Sequence, residues 1–328
     1  MGSKAREKIL ELLMIRKSDG IMQSEICSEL RLSKSTVSEI LADLEKKGEI
    51  VRERIGRAYR IWHANFAPFP VKGQVRVGVL RAAEYPHVLL AAEEVNARVI
   101  VFDNALELTR SLALGSIDIG VSPLITQVLF GLLLKSLKIH AVVAYNGSGV
   151  VSRKKIEKAR TFATTELSAM ENNLKLFLER TGIEAVKIRY FSSAERMIAA
   201  YEQGEFDAIA VWEPYFTLLD GYKYEFREVV GEFPCCSMAS NANFYSEHKQ
   251  LVVEFTEKIR ACLRSMSEEQ AVEVVKRLGF KEIGDECIKG AIKNYRFSAE
   301  IDTEDVKYLE NYGIKLTEEN IRTLIVSL

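Results

Sequence analysis

The side chains most often used for chemistry are sparse in this sequence. Only four histidines occur among 328 residues (His63, His87, His140, His248), and no pair has the His-x-x-x-His spacing that sets two ligands on one helix face. Five cysteines (Cys27, Cys235, Cys236, Cys262, Cys287) are scattered, without the spaced pairs of a zinc finger. The adjacent Cys235 and Cys236 admit a redox or metal-sensing role beside a plainer one as small core or pocket-side residues. No Gly-x-Ser-x-Gly elbow, P-loop or glycine-rich dinucleotide fingerprint is present. The sequence therefore predicts no catalytic residue, no metal site, no cofactor and no enzyme.

Other residues are suited to a nucleic-acid duplex. Ser33, Lys34, Ser35, Thr36 and Ser38 crowd the start of one expected helix, where short hydroxyl and basic side chains reach base edges and phosphates in a major groove. Between Ile50 and Arg60 stand Arg52, Arg54, Arg57 and Arg60, with Glu53 the one acid among them. Arginines on both strands and at the tip of a hairpin suit phosphates or a minor groove. Residues 1–66 hold 13 Lys/Arg against 10 Asp/Glu, a net charge of +3, whereas the remainder carries −4.

Positioning these groups takes three helices and a hairpin. Ile9, Leu10, Leu12, Leu13 and Met14 keep a helical stripe over Ser3–Lys17. Ser24 is expected to cap a second helix ending at Leu30, and Ser33 a third over Lys34–Lys47, with Val37, Ile40, Leu41 and Leu44 as its buried seam. Glu49–Arg54 and Ala58–Trp62 read as strands around Ile55-Gly56-Arg57. In this order the string LSKSTVSEILADLEKKGEIVRERIGRAYRIW resembles MarR-like and related archaeal winged-helix transcriptional regulators, over about Lys4–Trp62. The resemblance implies DNA binding. The residues alone also allow a protein-interaction module whose arginines form a solvated face.

Pro68 and Pro70 in ANFAPFP mark a linker at 67–72 between a domain at 1–66 and a larger one at 73–280. Beyond it, strands alternate with helices from Val75 to Leu219, which predicts parallel α/β layers. Two series suggest two lobes, the first about 73–122 and 214–280, the second about 123–213. Gly115-Ser116-Ile117-Asp118 and Gly204-Glu205-Phe206-Asp207 repeat one pattern, a helix stop followed by an aspartate opening a buried strand. VRVGVL, ELTRSLALGSIDIGVSP, AYNGSGVV, FATTELSAMENNLKLFLERTGI and MIAAYEQGEFDAIAVWEPY resemble type II periplasmic binding proteins of the branch binding alkanesulfonates, nitrate and thiamine precursors, over about Val75–Met266. The expected fold class is thus α/β: a winged helix-turn-helix, a two-lobed periplasmic-binding-protein-like domain, and a helical C-terminal appendage at 281–328.

Ligands of open α/β sheets bind beyond the carboxyl ends of strands. The ligand-binding candidates are Arg81, Tyr85, Phe102, Asp103, Asn104, Ser122, Pro123, Asn146, Ser148, Thr164, Thr165, Ser168, Ala169, Trp212, Glu213 and Tyr215. Arg81 and the hydroxyls favour an anionic group, and Glu84, Asp103 and Glu213 the opposite. Tyr85, Phe102, Trp212 and Tyr215 would stack on a heteroaromatic ring, or else serve as interlobe core. The resemblance places Ser122-Pro123 and Trp212-Glu213-Pro214 near the interlobe crossovers and Asn146-Gly147-Ser148-Gly149 in a pocket loop.

No stretch reaches the ~18 apolar residues of a membrane span, and the N-terminus does not read as a secretory signal. The expected protein is a cytoplasmic, homodimeric regulator of transcription that binds double-stranded DNA and a small-molecule effector. The alternative is a biosynthetic enzyme or metabolite-binding protein of the same fold, of the menaquinone or thiamine-pyrimidine type, with an autoregulatory winged helix.

Overall fold

The computed structural model describes residues 2–71 and 73–328; Met1 and Lys72, which open the expected first domain and close the expected linker, lie outside the described residues. Helices α1 (Gly2–Arg16), α2 (Gln23–Leu30) and α3 (Lys34–Lys46) pack Ile9, Leu13, Ile26, Val37, Leu41 and Leu44 into one small core. A sheet of β1 (Ile21–Met22), β2 (Ile50–Ile55) and β3 (Ala58–His63), in the order β1-β3-β2 and antiparallel throughout, closes it with Ile50 and Ile61. Strand β1 was not expected, because two residues show no alternation. Ser33 caps α3, its Oγ accepting from the Thr36 amide at 3.1 Å. Ser24 does not cap α2: Met22 holds that place, its amide donating to Glu25 Oε2 at 2.8 Å.

The larger region contains two mixed sheets. The first lobe is built on β4 (Arg76–Leu80), β5 (Arg98–Phe102), β6 (Ile119–Pro123) and β7 (Leu137–Asn146), the second on β8 (Ser148–Ser152), β9 (Thr161–Thr165), β10 (Lys187–Phe191), β11 (Ala208–Trp212) and β12 (Tyr222–Glu225). The chain then returns to the first lobe through β13 (Pro234–Asn241) and β14 (Tyr295–Glu300). The sheet orders are β14-β7-β13-β6-β4-β5 and β10-β9-β11-β8-β12. In each, three parallel strands meet an antiparallel one that has arrived across the hinge, β13 in one and β8 in the other. Purely parallel layers are therefore not observed. Alternation along β11 turns Ala208 and Ala210 toward the large core and Ile209 and Val211 toward a second cluster with Met197 and Phe216.

This topology moves the lobe boundary from the expected positions near 122 and 214. Ser122 and Pro123 end a first-lobe strand, and the chain leaves that lobe at Asn146-Gly147 and comes back ahead of Pro234. The crossovers lie side by side, Asn146 N donating to Phe233 O at 3.1 Å and Phe233 N to Asn146 Oδ1 at 3.3 Å. Gly147 has φ +70°, and a Cβ there would fall 1.9 Å from the Tyr295 ring, so the bend requires glycine.

The segment 281–328 is not wholly helical, since β14 lies within it as an edge strand on β7. It also bridges the lobes: Tyr312 OH donates to Asn173 Oδ1 of the second lobe at 2.7 Å, and Tyr145 OH of the first to Asp305 at 2.7 Å. Among the described residues no helix is long and apolar enough to cross a membrane.

A buried ion pair ties the linker to the first lobe. Arg76 and Asp118, at 0% and 1% side-chain exposure, meet through Nη2 and Oδ1 at 2.8 Å and Nε and Oδ2 at 3.1 Å. The Arg76 amide also donates to Asp118 Oδ2 at 2.8 Å, and the guanidinium donates to the carbonyls of Ala67, Phe69 and Gly115 at 2.7–3.0 Å. Asp207 plays the matching part in the second lobe, accepting from the Arg160 and Thr161 amides. Burial opposes its ionisation, but Lys154 and those amides outweigh it and hold Asp207 at about 2. Removing one partner of a buried pair leaves the other charge uncompensated. Asp118→Asn is expected to lower unfolding free energy by about 3–5 kcal/mol, read as an earlier urea midpoint, while Lys154→Ala, at the exposed pair, changes it by less than about 1 kcal/mol.

Candidate functional site

Strand ends from both lobes converge on one cavity. From the first lobe come Leu80, Glu84, the Asp103-Asn104-Ala105 helix start, Pro123, Cys235 and Cys236; from the second come Thr165, Ser168, Ala169, Met170 and Trp212. The helix over 169–181 begins at this wall because Ser168 caps it, its Oγ accepting from the Glu171 amide at 3.2 Å. Asn104 does the same for the helix over 105–113, through Glu107 N at 2.7 Å. The lobes are closed on one another, and the cavity offers about 30 Å³ to the centre of a water-sized sphere. That is room for one or two small groups.

Contacts across the mouth hold the lobes together. Arg81 Nη1 reaches Glu195 Oε1 at 3.1 Å, Trp212 Nε1 donates to Arg81 O at 3.0 Å, Ala83 N donates to Glu213 O at 3.0 Å, and Thr126 Oγ1 donates to Leu167 O at 2.5 Å.

The cavity floor is a cluster of Glu84, Cys235 and Cys236. Tyr85 OH donates to Glu84 Oε1 at 2.5 Å, and Cys236 Sγ to the same oxygen at 3.1 Å. Burial raises the Glu84 carboxyl, against the opposing hydrogen bonds of Tyr85 and the cysteines. Cys236 draws the Cys235 thiol down, but burial and the Glu84 charge prevail and leave it at about 11. Burial likewise pushes Cys236 well up.

Of the expected ligand residues, Asp103, Asn104, Pro123, Thr165, Ser168, Ala169 and Trp212 line the cavity. The others do not. Arg81 is committed to the latch with Glu195 and, at 3.6 Å, Asp103. Tyr85 and Phe102 are buried and offer no stacking face, while Tyr215 packs edge-on against Trp212 and Phe280. Ser122 bonds inward to Thr109 and Gln127, Asn146 holds the crossover, and Glu213 is taken by Thr217 and Asn294. Ser148 and Thr164 are buried in strands, and neither side-chain oxygen has a partner among the described residues. Asn146-Gly147-Ser148-Gly149 forms an interlobe crossover and does not line the cavity. Sequence reasoning missed Leu80, Ala105 and Met170 as wall residues; for Cys235 and Cys236 it left a pocket-side place open beside a core one.

A second concavity, about 460 Å³, lies between α2, α3 and the hairpin, lined by Gln23, Ser24, Cys27, Lys34, Ser38, Arg57, Ala58 and Tyr59. It joins three of the expected DNA-binding residues: Lys34, Ser38 and Arg57. Ser33 Oγ lies 2.9 Å from Ser35 Oγ and 2.8 Å from Thr36 Oγ1, a hydroxyl cluster at the helix start. Pairing of Arg54 with Tyr59 and of Arg52 with Ile61 sets both arginines on the helix-facing side of the hairpin, where Arg52 is held by Glu45. Arg60 pairs with Glu53 and points the other way, so the arginines do not form one surface.

A family model described as a domain of unknown function (DUF7343) matches residues 3–64. No curated protein matches the chain. Solved structures match the two-lobed region. The ligand-binding component of an ABC-type import system from Staphylococcus aureus, with zinc bound, superposes at TM-score 0.68 and 13% identity over 77% of this chain and 96% of that one. The nitrate-binding protein NrtA from Synechocystis PCC 6803 gives 0.62 and 13% over 78% and 87%. The alkanesulfonate-binding protein SsuA from Xanthomonas axonopodis pv. citri, bound to MOPS, gives 0.60 and 15% over 73% and 90%. The region therefore has the two-lobed type II periplasmic-binding-protein-like fold; identities this low establish the fold alone.

Three histidines act as neutral struts. His140 Nδ1 donates to Val326 O at 3.0 Å and its Nε2 accepts from Ser240 Oγ at 2.7 Å, while His87 Nε2 donates to Ser298 O at 3.2 Å. Burial above all holds His63, His87 and His140 at about 4. The unfolded chain protonates such rings near ~6.5, so unfolding takes up protons between the two values and stability falls as pH drops through that window. The urea midpoint is expected to be lower at about pH 5 than at about pH 7, with a smaller difference in His140→Gln; equal midpoints in the parent protein would contradict the assignment.

Proposed function

We propose that this protein binds a small ligand between its lobes and presents a DNA-binding module at its N-terminus, as a ligand-responsive regulator. The observation that carries the first part is the cavity itself, which draws wall residues from both lobes, so that occupancy and closure are coupled. The chemistry of its walls narrows the ligand. Glu84 and Asp103 face the cavity, no lysine or arginine among the described residues lines it, and Arg81 is already paired. A neutral or cationic group suits these walls better than the anion expected from Arg81. A heteroaromatic ligand would need the lobes to part, since drug-sized ligands occupy roughly 300 Å³ or more.

A specific observation supports DNA binding. The order α1, β1, α2, α3, β2, β3 is that of a winged helix, and the groove between α3 and the hairpin gathers Lys34, Ser38 and Arg57 around an exposed hydroxyl-rich helix start. The reading requires a location where DNA is accessible, and a homodimer would set two modules on one operator. A biosynthetic enzyme on the same fold is the competing idea; conversion of a cleft-bound metabolite during incubation would favour it.

The cleft is tested by mass spectrometry of compounds that copurify with the full chain, followed by thermal-shift titration with each, where a true ligand raises Tm by mass action. The DNA module is tested by anisotropy on duplexes over a salt series. Arg54→Ala with Arg57→Ala is expected to weaken binding to every sequence and to flatten the salt dependence by roughly 0.9 per lost phosphate contact. Arg60→Ala, on the opposite face, is expected to do much less; equal losses from both would defeat the assigned surface.

A further inference from the structure

We propose that Glu84, Cys235 and Cys236 form a binding site for a thiophilic divalent cation of the zinc type at the floor of the interlobe cavity. The proposal deepens the cleft-ligand reading and rests on it.

Adjacent residues of a regular strand point to opposite faces, so a Cys-Cys pair does not ordinarily present two sulfurs to one point. Strand β13 breaks that rule here. Its register against β7 runs Pro234 to Tyr145 and then Cys236 to Ala144, leaving Cys235 as the extra residue of a β-bulge. Bulges re-aim side chains in this way. Both sulfurs and a Glu84 oxygen consequently lie within 4.8 Å of one another, although Glu84 stands 152 residues from Cys236 in the sequence. Two sulfurs on one tetrahedral ion, each at about 2.3 Å, stand roughly 3.8 Å apart, which this spacing accommodates.

Two further observations point to a ligand. Glu84 is 2% exposed, and its Oε2 has no hydrogen-bond partner among the described residues. The same three residues line the cavity, so a fourth coordination position would open into it. Tyr85 OH, on the other Glu84 oxygen, holds the carboxylate from behind, as partners of ligating groups commonly do. Two thiolates select a soft or borderline ion over magnesium or calcium, which want several oxygens. Coordination replaces both S–H bonds by sulfur–metal bonds and passes the two protons to solvent.

The test uses the full chain, reduced with a phosphine, freed of metal with a chelator and titrated with cadmium and zinc chlorides. One cadmium per chain is expected, with thiolate-to-cadmium ultraviolet absorption that Cys235→Ser and Cys236→Ser abolish and Cys287→Ser leaves intact. Glu84→Gln is expected to weaken zinc binding at least about tenfold. X-ray absorption of the zinc-loaded parent protein needs no variant: two sulfur neighbours at about 2.3 Å with oxygen completing the shell support the site, and a shell without sulfur overturns it. Cadmium absorption that survives both serine variants, or a Cys235–Cys236 disulfide that persists under phosphine, also overturns it. If zinc fails to bind while a copurified organic ligand still raises Tm, the cation is wrong and the cleft reading stands; if neither shifts Tm, both fall.

Discussion

The buried Arg76–Asp118 pair fixes how the linker from the N-terminal core meets the first lobe. A guanidinium shut away from water is tolerable only when a carboxylate and several carbonyls take up its protons, and at Arg76 those carbonyls belong to Ala67 and Phe69 of the linker and to Gly115 at a helix end. One side chain therefore binds the start of the first-lobe sheet, the turn before β6 and the path of the chain arriving from the N-terminal core. Trp62 extends the join, packing edge-on against Phe69 with centroids 5.4 Å apart and donating to Ser18 O at 3.0 Å. Asp207 does comparable work in the second lobe with backbone amides and a partly exposed lysine, and no linker depends on it.

Beyond that anchor, the cleft is a product of strand ends and of one irregularity. Parallel strands β4, β5, β6, β9 and β11 deliver loops and helix starts to the same gap, as expected for open sheets. The returning strand β13 would bring only alternate residues to it. Its bulge brings two thiols together instead and gives the floor a character that the polar walls alone would not have.

Much of this was legible where the signal was local. Ser33 as a helix cap, the apolar seam of α3 and the strand–helix alternation through residue 219 each depend on neighbours within a few positions. The two aspartates after glycine stops also stood out, because the pattern repeats. Contacts made at a distance were opaque. Nothing local in the sequence marks Arg76 for burial; only the fold brings Asp118 and the linker carbonyls around it. Strand β13, PCCSMASN, lacks β-branched residues, and β14 sits inside a stretch of helical composition, so neither was anticipated. Their absence from the expected topology displaced the lobe boundary and turned an interlobe crossover into a supposed pocket loop. The aromatic candidates failed for a related reason: a strand-end tyrosine or phenylalanine looks the same whether it faces a gap or the core behind it.

The N-terminal core meets the first lobe through Lys17 with Glu107 and Arg98 with Gly48 O at 3.4 Å, and meets the linker through Trp62 with Phe69. That core therefore sits against the first lobe, and the second lobe joins the first through the crossovers at Asn146-Gly147 and Phe233. Any parting of the lobes would leave the contacts between that core and the first lobe unchanged. On the proposed reading, a ligand that alters the fit of the lobes would therefore show itself first on the outer surface of the second lobe.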